Sequence, residues 1–228
     1  MKRTETRLII ALLLTALVIP LCNIALLGSL SVITENDVAY PERVSQIISY
    51  AKELIGVICV FASSGMLAFA FVLRKCRRAA VWICFLSVPL TYLVSGICDM
   101  AFYGMRAFSI VYVIPMLVNC IFECLRYLAV MIIAKRIGDN ARKTGRGFAL
   151  EVFSAEGALS RAAIFTSLTV FVSLIVTSLT DTIALLAEYG APLNSSEATY
   201  LVLPYLTAVV YTVIGYLVIY CIGRSAVR

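Results

Sequence analysis

VYVIPMLVNCIFECLRYLAVMIIAK, the stretch from Val111 to Lys135, has the length and apolarity of a membrane span, yet it carries Asn119, Glu123 and Arg126. At about 100° per residue those three side chains, together with Tyr112, fall within roughly 60° of one helix face. A charge at the bilayer centre costs roughly 2.5 to 3.5 kcal/mol on the insertion scale, so two charges one turn apart are expected to turn away from lipid. The stretch therefore implies other spans around it and a polar interior between them.

Composition supplies those spans. The chain has 228 residues, of which 62% are hydrophobic and only 14% charged, with a mean hydropathy of +0.98. That is far more apolar than a soluble domain of this size. The net charge of +6 is no pointer to nucleic acid, because a membrane protein gathers Lys and Arg on its cytoplasmic side for topological reasons. Histidine is absent, which removes imidazole as general base and as metal ligand and excludes a Ser–His or zinc-dependent protease. Of the eight cysteines, all but Cys76 lie in apolar runs and are expected to be small buried hydrophobes rather than a disulfide framework. Cys120 and Cys124 lack the C-x-x-C spacing of a thiol oxidoreductase. The chain is read as non-enzymatic, with no metal and no cofactor.

The expected fold is all-α: one six-helix transmembrane domain over residues 1–228, with spans near 8–33, 54–73, 79–103, 108–134, 162–187 and 200–222. The first apolar run is longer than the core of a secretory signal, about 7 to 15 residues, and no A-x-A-like site follows it, so it is read as a retained span. Pro20 and Asn23 within it predict a kink beside a polar contact. In the second span Ser64 and Ala68 form a small-x-x-x-small pair suited to close helix approach. Fifteen of the nineteen Lys and Arg lie at the two ends of the chain, in the second-to-third connection and in the fourth-to-fifth connection. The positive-inside rule then places both termini in the cytoplasm, in a cell membrane.

The longest polar segment, Lys135 to Arg161, joins a basic turn (Arg142, Lys143, Arg146) to Phe148, Val152, Ala155 and Leu159 at helical spacing. It is expected to form a short amphipathic helix in the cytoplasmic loop between helices 4 and 5, against anionic lipid headgroups. Thr166, Thr169, Ser173, Thr177 and Thr180 form a hydroxyl stripe on the fifth span. Such hydroxyls commonly bond their own i−4 carbonyl. Tyr211 lies too deep for an aromatic belt and is expected to turn inward.

Depth along each helix, at about 1.5 Å per residue from its cytoplasmic end, puts Arg126 near 14 Å, Glu123 near 18 Å, Asn119 and Asn23 near 24 Å, and Asp99 and Asp181 near 28 to 30 Å. Glu123 and Arg126, spaced i and i+3, are expected to form an intrahelical ion pair. Asp99 and Asp181 add negative charge that Arg126 alone does not balance. These residues predict a pocket open to the outside, lined by Asn23, Asp99, Tyr112, Asn119, Glu123, Asp181 and Tyr205, for a small cationic or zwitterionic solute.

Transport or capture of such a solute is the first functional expectation. The layout of six spans with both ends cytoplasmic is similar to that of the substrate-capture subunits of energy-coupling-factor vitamin transporters. That likeness is one of layout, and it implies other membrane or ATPase subunits as partners. The second expectation is a non-transport membrane protein, a partner subunit, sensor or assembly factor, in which the intramembrane polar residues only hold the bundle together.

Overall fold

A computed structural model describes residues 2–30, 42–103, 110–143, 148–189 and 195–227. Its described secondary structure is entirely helical. Helix α1 is α-helical over Lys2–Leu13 and runs on unbroken through a π-helical turn, Leu14–Val18, then Ile19–Cys22, then a second π-helical turn, Asn23–Gly28. The others are α2 (Glu42–Val72), α3 (Arg77–Tyr103), α4 (Ile110–Lys143), α5 (Phe148–Tyr189) and α6 (Ser195–Val227). Among the described residues six helices are long and apolar enough to cross a membrane, so the chain is a multi-pass membrane protein. Its exterior fits that solvent: Trp82, Leu86, Leu93, Leu117 and Leu206 are all exposed and face the position of lipid.

The bundle is built around α2. In its apolar window 72% of residues are buried, against 17 to 33% in the other five spans. The remaining helices surround it in the order α1, α3, α4, α5, α6, each against the next and each against α2. Small side chains make that position possible: Ala62, Ser63, Ser64, Ala68 and Ala70 are all buried, Ser64, Ala68 and Ala70 completely. In lipid, where burying apolar surface between helices brings little gain over leaving it in acyl chains, close backbone approach and van der Waals contact decide the packing. Gly215 of α6 lies flat against the Phe61 ring, leaving no room for a Cβ. Gly138 of α4 lies against the Val72 backbone, where a Cβ would stand 3.2 Å from its Cα.

Between α2 and α3 the chain reverses in four residues, with Arg74 (φ 54°) and Cys76 (φ 43°) in the left-handed region. The Lys75 N–H caps the Ala70 carbonyl at 3.0 Å, and the Arg77 guanidinium caps the Phe71 carbonyl at 3.0 Å while lying over the Phe71 ring. Arg74 reaches Asp139 of α4 at 2.8 Å. Burial and the nearby Glu5 carboxylate push the Cys76 thiol above its ordinary value. The start of α1, this turn and the end of α4 therefore share one end of the bundle.

Two expectations change. The amphipathic segment from Phe148 to Leu159 is not a separate surface helix but the beginning of the 42-residue α5. No proline interrupts Phe148–Tyr189, so nothing breaks the i→i−4 ladder before the fifth span. Of the cysteines expected to be buried, only Cys59 and Cys84 are; Cys22 and Cys221 are exposed on the apolar exterior, and none of the eight is in a disulfide. Within the hydroxyl stripe Thr169 and Thr180 bond their own helix as expected, donating to the carbonyls of Phe165 and Val176 at 2.7 and 3.0 Å.

Candidate functional site

A cavity of about 320 Å³ lies between α1, α2, α3 and α4. Helical spacing explains which side chains reach it. From α3 come Ser87, Thr91, Tyr92 and Ser95, at steps of four, one and three, and from α4 come Glu123, Arg126 and Tyr127. Both sets are single helix faces. From α2 come Glu53, Gly56, Val60 and Ser63, descending from an exposed glutamate to a buried serine about 15 Å further along the helix axis. Helix α1 contributes Thr15, Ala16, Pro20, Asn23 and Ile24. Ala16, Pro20, Asn23 and Ile24 lie along one face of that helix, which passes through π-helical turns at Leu14–Val18 and Asn23–Gly28.

The closed end is a small polar network. Tyr127 and Ser63 share a hydrogen bond of 2.9 Å, buried between α4 and α2. Ser63 also donates to the Val60 carbonyl at 3.2 Å, which makes Tyr127 the donor to Ser63. The Arg126 guanidinium stands 4.7 Å over the Tyr127 ring, and Tyr127 packs tilted against Phe85 of α3 at 6.2 Å. Arg126 Nη2 and Glu123 Oε2 are 3.6 Å apart, an ion pair longer than a hydrogen bond. Tyr92 donates to the other carboxylate oxygen of Glu123 at 3.4 Å. Arg126 Nε is buried with no hydrogen-bond partner.

Toward the open end Asn23 donates its amide to the Lys52 carbonyl at 2.8 Å. This is the polar contact expected beside Pro20. The Asn23 Oδ1 is buried and has no partner. The hydroxyls in the wall are committed in the same sense: Thr15 donates to the Ala11 carbonyl, Ser87 to Cys84, and Thr91 to Ser87 and Val88, all within 3.0 Å. A hydroxyl has one proton to give, so each offers only its lone pairs to the cavity. With Glu53, Glu123 and Asn23 Oδ1, the wall is a surface of acceptors, and Arg126 is its one cationic donor among the described residues.

The expected site residues are brought together only in part. Asn23 and Glu123 line the cavity, and Glu123 pairs with Arg126. Asn119 is buried on α4 but is not among the described lining residues. Asp99 is exposed one turn beyond Ser95, which donates to it at 3.4 Å. Tyr205 shares a 3.3 Å hydrogen bond with Thr182, between α5 and α6, and is likewise not among the described lining residues. The side chains of Tyr112 and Asp181 lie outside the described residues. Tyr211 turns inward onto the core, beside Glu53.

Sequence reasoning passed over Glu53, Ser63, Tyr92 and Tyr127, and the α3 hydroxyls. The signal for α3 was present: Ser87, Thr91 and Ser95 repeat every four residues with Tyr92 beside them, the same pattern that stood out on the fifth span. Among the described residues no group of three or more Cys, Asp or Glu converges as a metal site. No protein-family model, no curated protein and no solved structure matches the chain.

Proposed function

We propose that this membrane protein captures or transports a small cationic or zwitterionic solute through the α1–α4 cavity. The observation that carries the reading is the polarity of the wall. Its hydroxyls, its asparagine oxygen and two carboxylates present acceptors, while their own protons are spent on backbone carbonyls or on Glu123. Such a wall stabilises a donor-rich, positively charged group and repels a bare anion. A volume of about 320 Å³ suits a small molecule.

Orientation follows from charge. The bundle end that carries the N-terminal basic residues, the Arg74–Arg78 turn and the Lys135–Lys143 segment is cytoplasmic by the positive-inside rule, with both termini there. Glu53 and the open end of the cavity then face outward, and the basic segments meet anionic headgroups of the cell membrane. The ion pair alone would also serve a purely structural role, as in a partner subunit or assembly factor. A structural pair does not account for a buried Arg126 Nε and a buried Asn23 Oδ1 that both lack partners beside a cavity.

The test uses the full chain in proteoliposomes and a panel of labelled small organic cations and amino acids. At least one is expected to bind or enter, and Glu123→Gln, in protein that still inserts and purifies as wild type does, is expected to abolish it. Equal behaviour of wild type and Glu123→Gln toward every member would overturn the proposal.

A further inference from the structure

Arg126 is the feature of the cavity that cation capture alone leaves unexplained. Its side chain is 3% exposed, it belongs to the cavity wall, and its contact with Glu123 at 3.6 Å is too long for a charge-assisted hydrogen bond. Its Nε, buried, meets no acceptor. A guanidinium carries five donors in a planar fork that matches the two oxygens of a carboxylate. Among the described residues no carboxylate reaches Arg126 at hydrogen-bond distance: the nearest oxygen of Glu123 is 3.6 Å away, and Glu53 lies toward the open end.

Charge balance narrows the occupant. A bare cation that draws Glu123 to itself leaves Arg126 buried without a counter-charge, and a bare anion on Arg126 does the same to Glu123. Either arrangement leaves one charge unpaired in a site removed from water. A molecule with both charges a short spacer apart exchanges one ion pair for two and leaves the net charge of the closed end unchanged. The surrounding acceptors, Asn23 Oδ1 and the hydroxyl lone pairs of Thr91 and Ser87, then take the remaining protons of an ammonium group.

Resting on the capture reading, we infer that the solute is a small aminocarboxylate zwitterion, held with its carboxylate on the Arg126 fork and its ammonium on Glu123. Arg126 is thereby assigned to ligand recognition as well as to the ion pair, and the Tyr92 hydroxyl, which donates to Glu123, positions the carboxylate that receives the ammonium.

The purified full chain in detergent, titrated by equilibrium dialysis and by thermal shift, provides the test. The probes are the α-amino acids, β-alanine and γ-aminobutyrate. For each binder, two derivatives follow: the carboxamide, which keeps only the cation, and the N-acetyl acid, which keeps only the anion. The expected result is a bound aminocarboxylate whose two one-charge derivatives each bind about tenfold or more weakly, since each loses a charge-assisted contact. Arg126→Lys should weaken the parent by a similar factor and the carboxamide by less, since only the parent brings a carboxylate for the guanidinium fork. The derivative comparison needs only wild-type protein, so it stands even if the variant fails to fold. A carboxamide, or choline, that binds as tightly as any aminocarboxylate would overturn the zwitterion and leave cation capture in place. Failure of every probe, choline included, would overturn both.

Discussion

Replacing Glu123 by glutamine tests how much of the bundle's stability runs through Arg126. The two side chains are 26% and 3% exposed, with their nearest charged atoms 3.6 Å apart. At an effective dielectric constant near 20, unit charges at that distance attract by about 5 kcal/mol. Removing one partner of a buried pair typically costs about 3 to 5 kcal/mol. Because Glu123 borders the cavity and the separation exceeds a hydrogen bond, the lower end applies, about 3 kcal/mol. Arg126→Gln should cost less, about 1 to 2 kcal/mol, because a carboxyl group has a neutral form open to it and a guanidinium has none. The double variant places two neutral amides in the same space and should be destabilised by only about 1 kcal/mol, against single penalties that sum to about 4 to 5 kcal/mol, a coupling of about 3 to 4 kcal/mol. Unfolding of the full chain in mixed detergent and dodecyl sulfate, followed with a thiol-reactive fluorophore, reads these differences because Cys59 and Cys84 are buried until the bundle opens. Two equal single penalties that simply add in the double variant would refute the coupling, and with it the idea that Arg126 depends on Glu123.

Two further substitutions probe the framework around the cavity. Gly215→Ala forces a Cβ into the fully buried Phe61 ring and should destabilise the bundle by about 1 to 3 kcal/mol in the same assay, with Phe61→Leu partly restoring it; equal unfolding of Gly215→Ala and wild type would rule out the α2–α6 contact. Arg74→Gly should be more stable than Arg74→Ala by about 1 kcal/mol, because glycine accepts φ 54° without strain. Both lose the Asp139 contact, so their difference reports the backbone alone, and a stability order of Ala above Gly would contradict the left-handed turn.

Much of the fold was legible because the bilayer allows few solutions. A spanning chain must satisfy its backbone within each segment, so six apolar runs of sufficient length imply six helices. The Glu123–Arg126 pair was equally legible, since i and i+3 on one helix are neighbours whatever the rest of the chain does. The identity of the central helix was not. Mean hydropathy ranks α1 first at 2.6, yet 17% of its window is buried, while α2 at 2.3 is 72% buried. Between two apolar solvents, lipid and protein, hydropathy has little to say about which helix is enclosed. What places α2 inside is the run of small residues from Ala62 to Ala70 together with Gly215 and Gly138 on its neighbours, and their meaning appears only once the helices are paired.

The site was half legible for a related reason. A helical wheel assigns faces at a constant angle per residue, and that holds for α4, whose Glu123 and Arg126 do face the cavity. On α1 that constant angle is interrupted by π-helical turns at Leu14–Val18 and Asn23–Gly28. Asn23 nonetheless reaches the wall, because the partner that holds it, the Lys52 carbonyl, is a backbone atom with no signature in any side-chain pattern. Depth placed Asp99 near the polar level, but depth carries no information about lateral position, and among the described residues the cavity wall on α3 ends at Ser95. What the sequence left least visible was the sense of the hydroxyls. Ser87 and Thr91 are neutral in any charge count, yet by donating to their own helix they turn only lone pairs toward the cavity. That polarity, together with an Arg126 Nε that has no acceptor, is what the proposed zwitterion rests on, and neither can be read from a charge count.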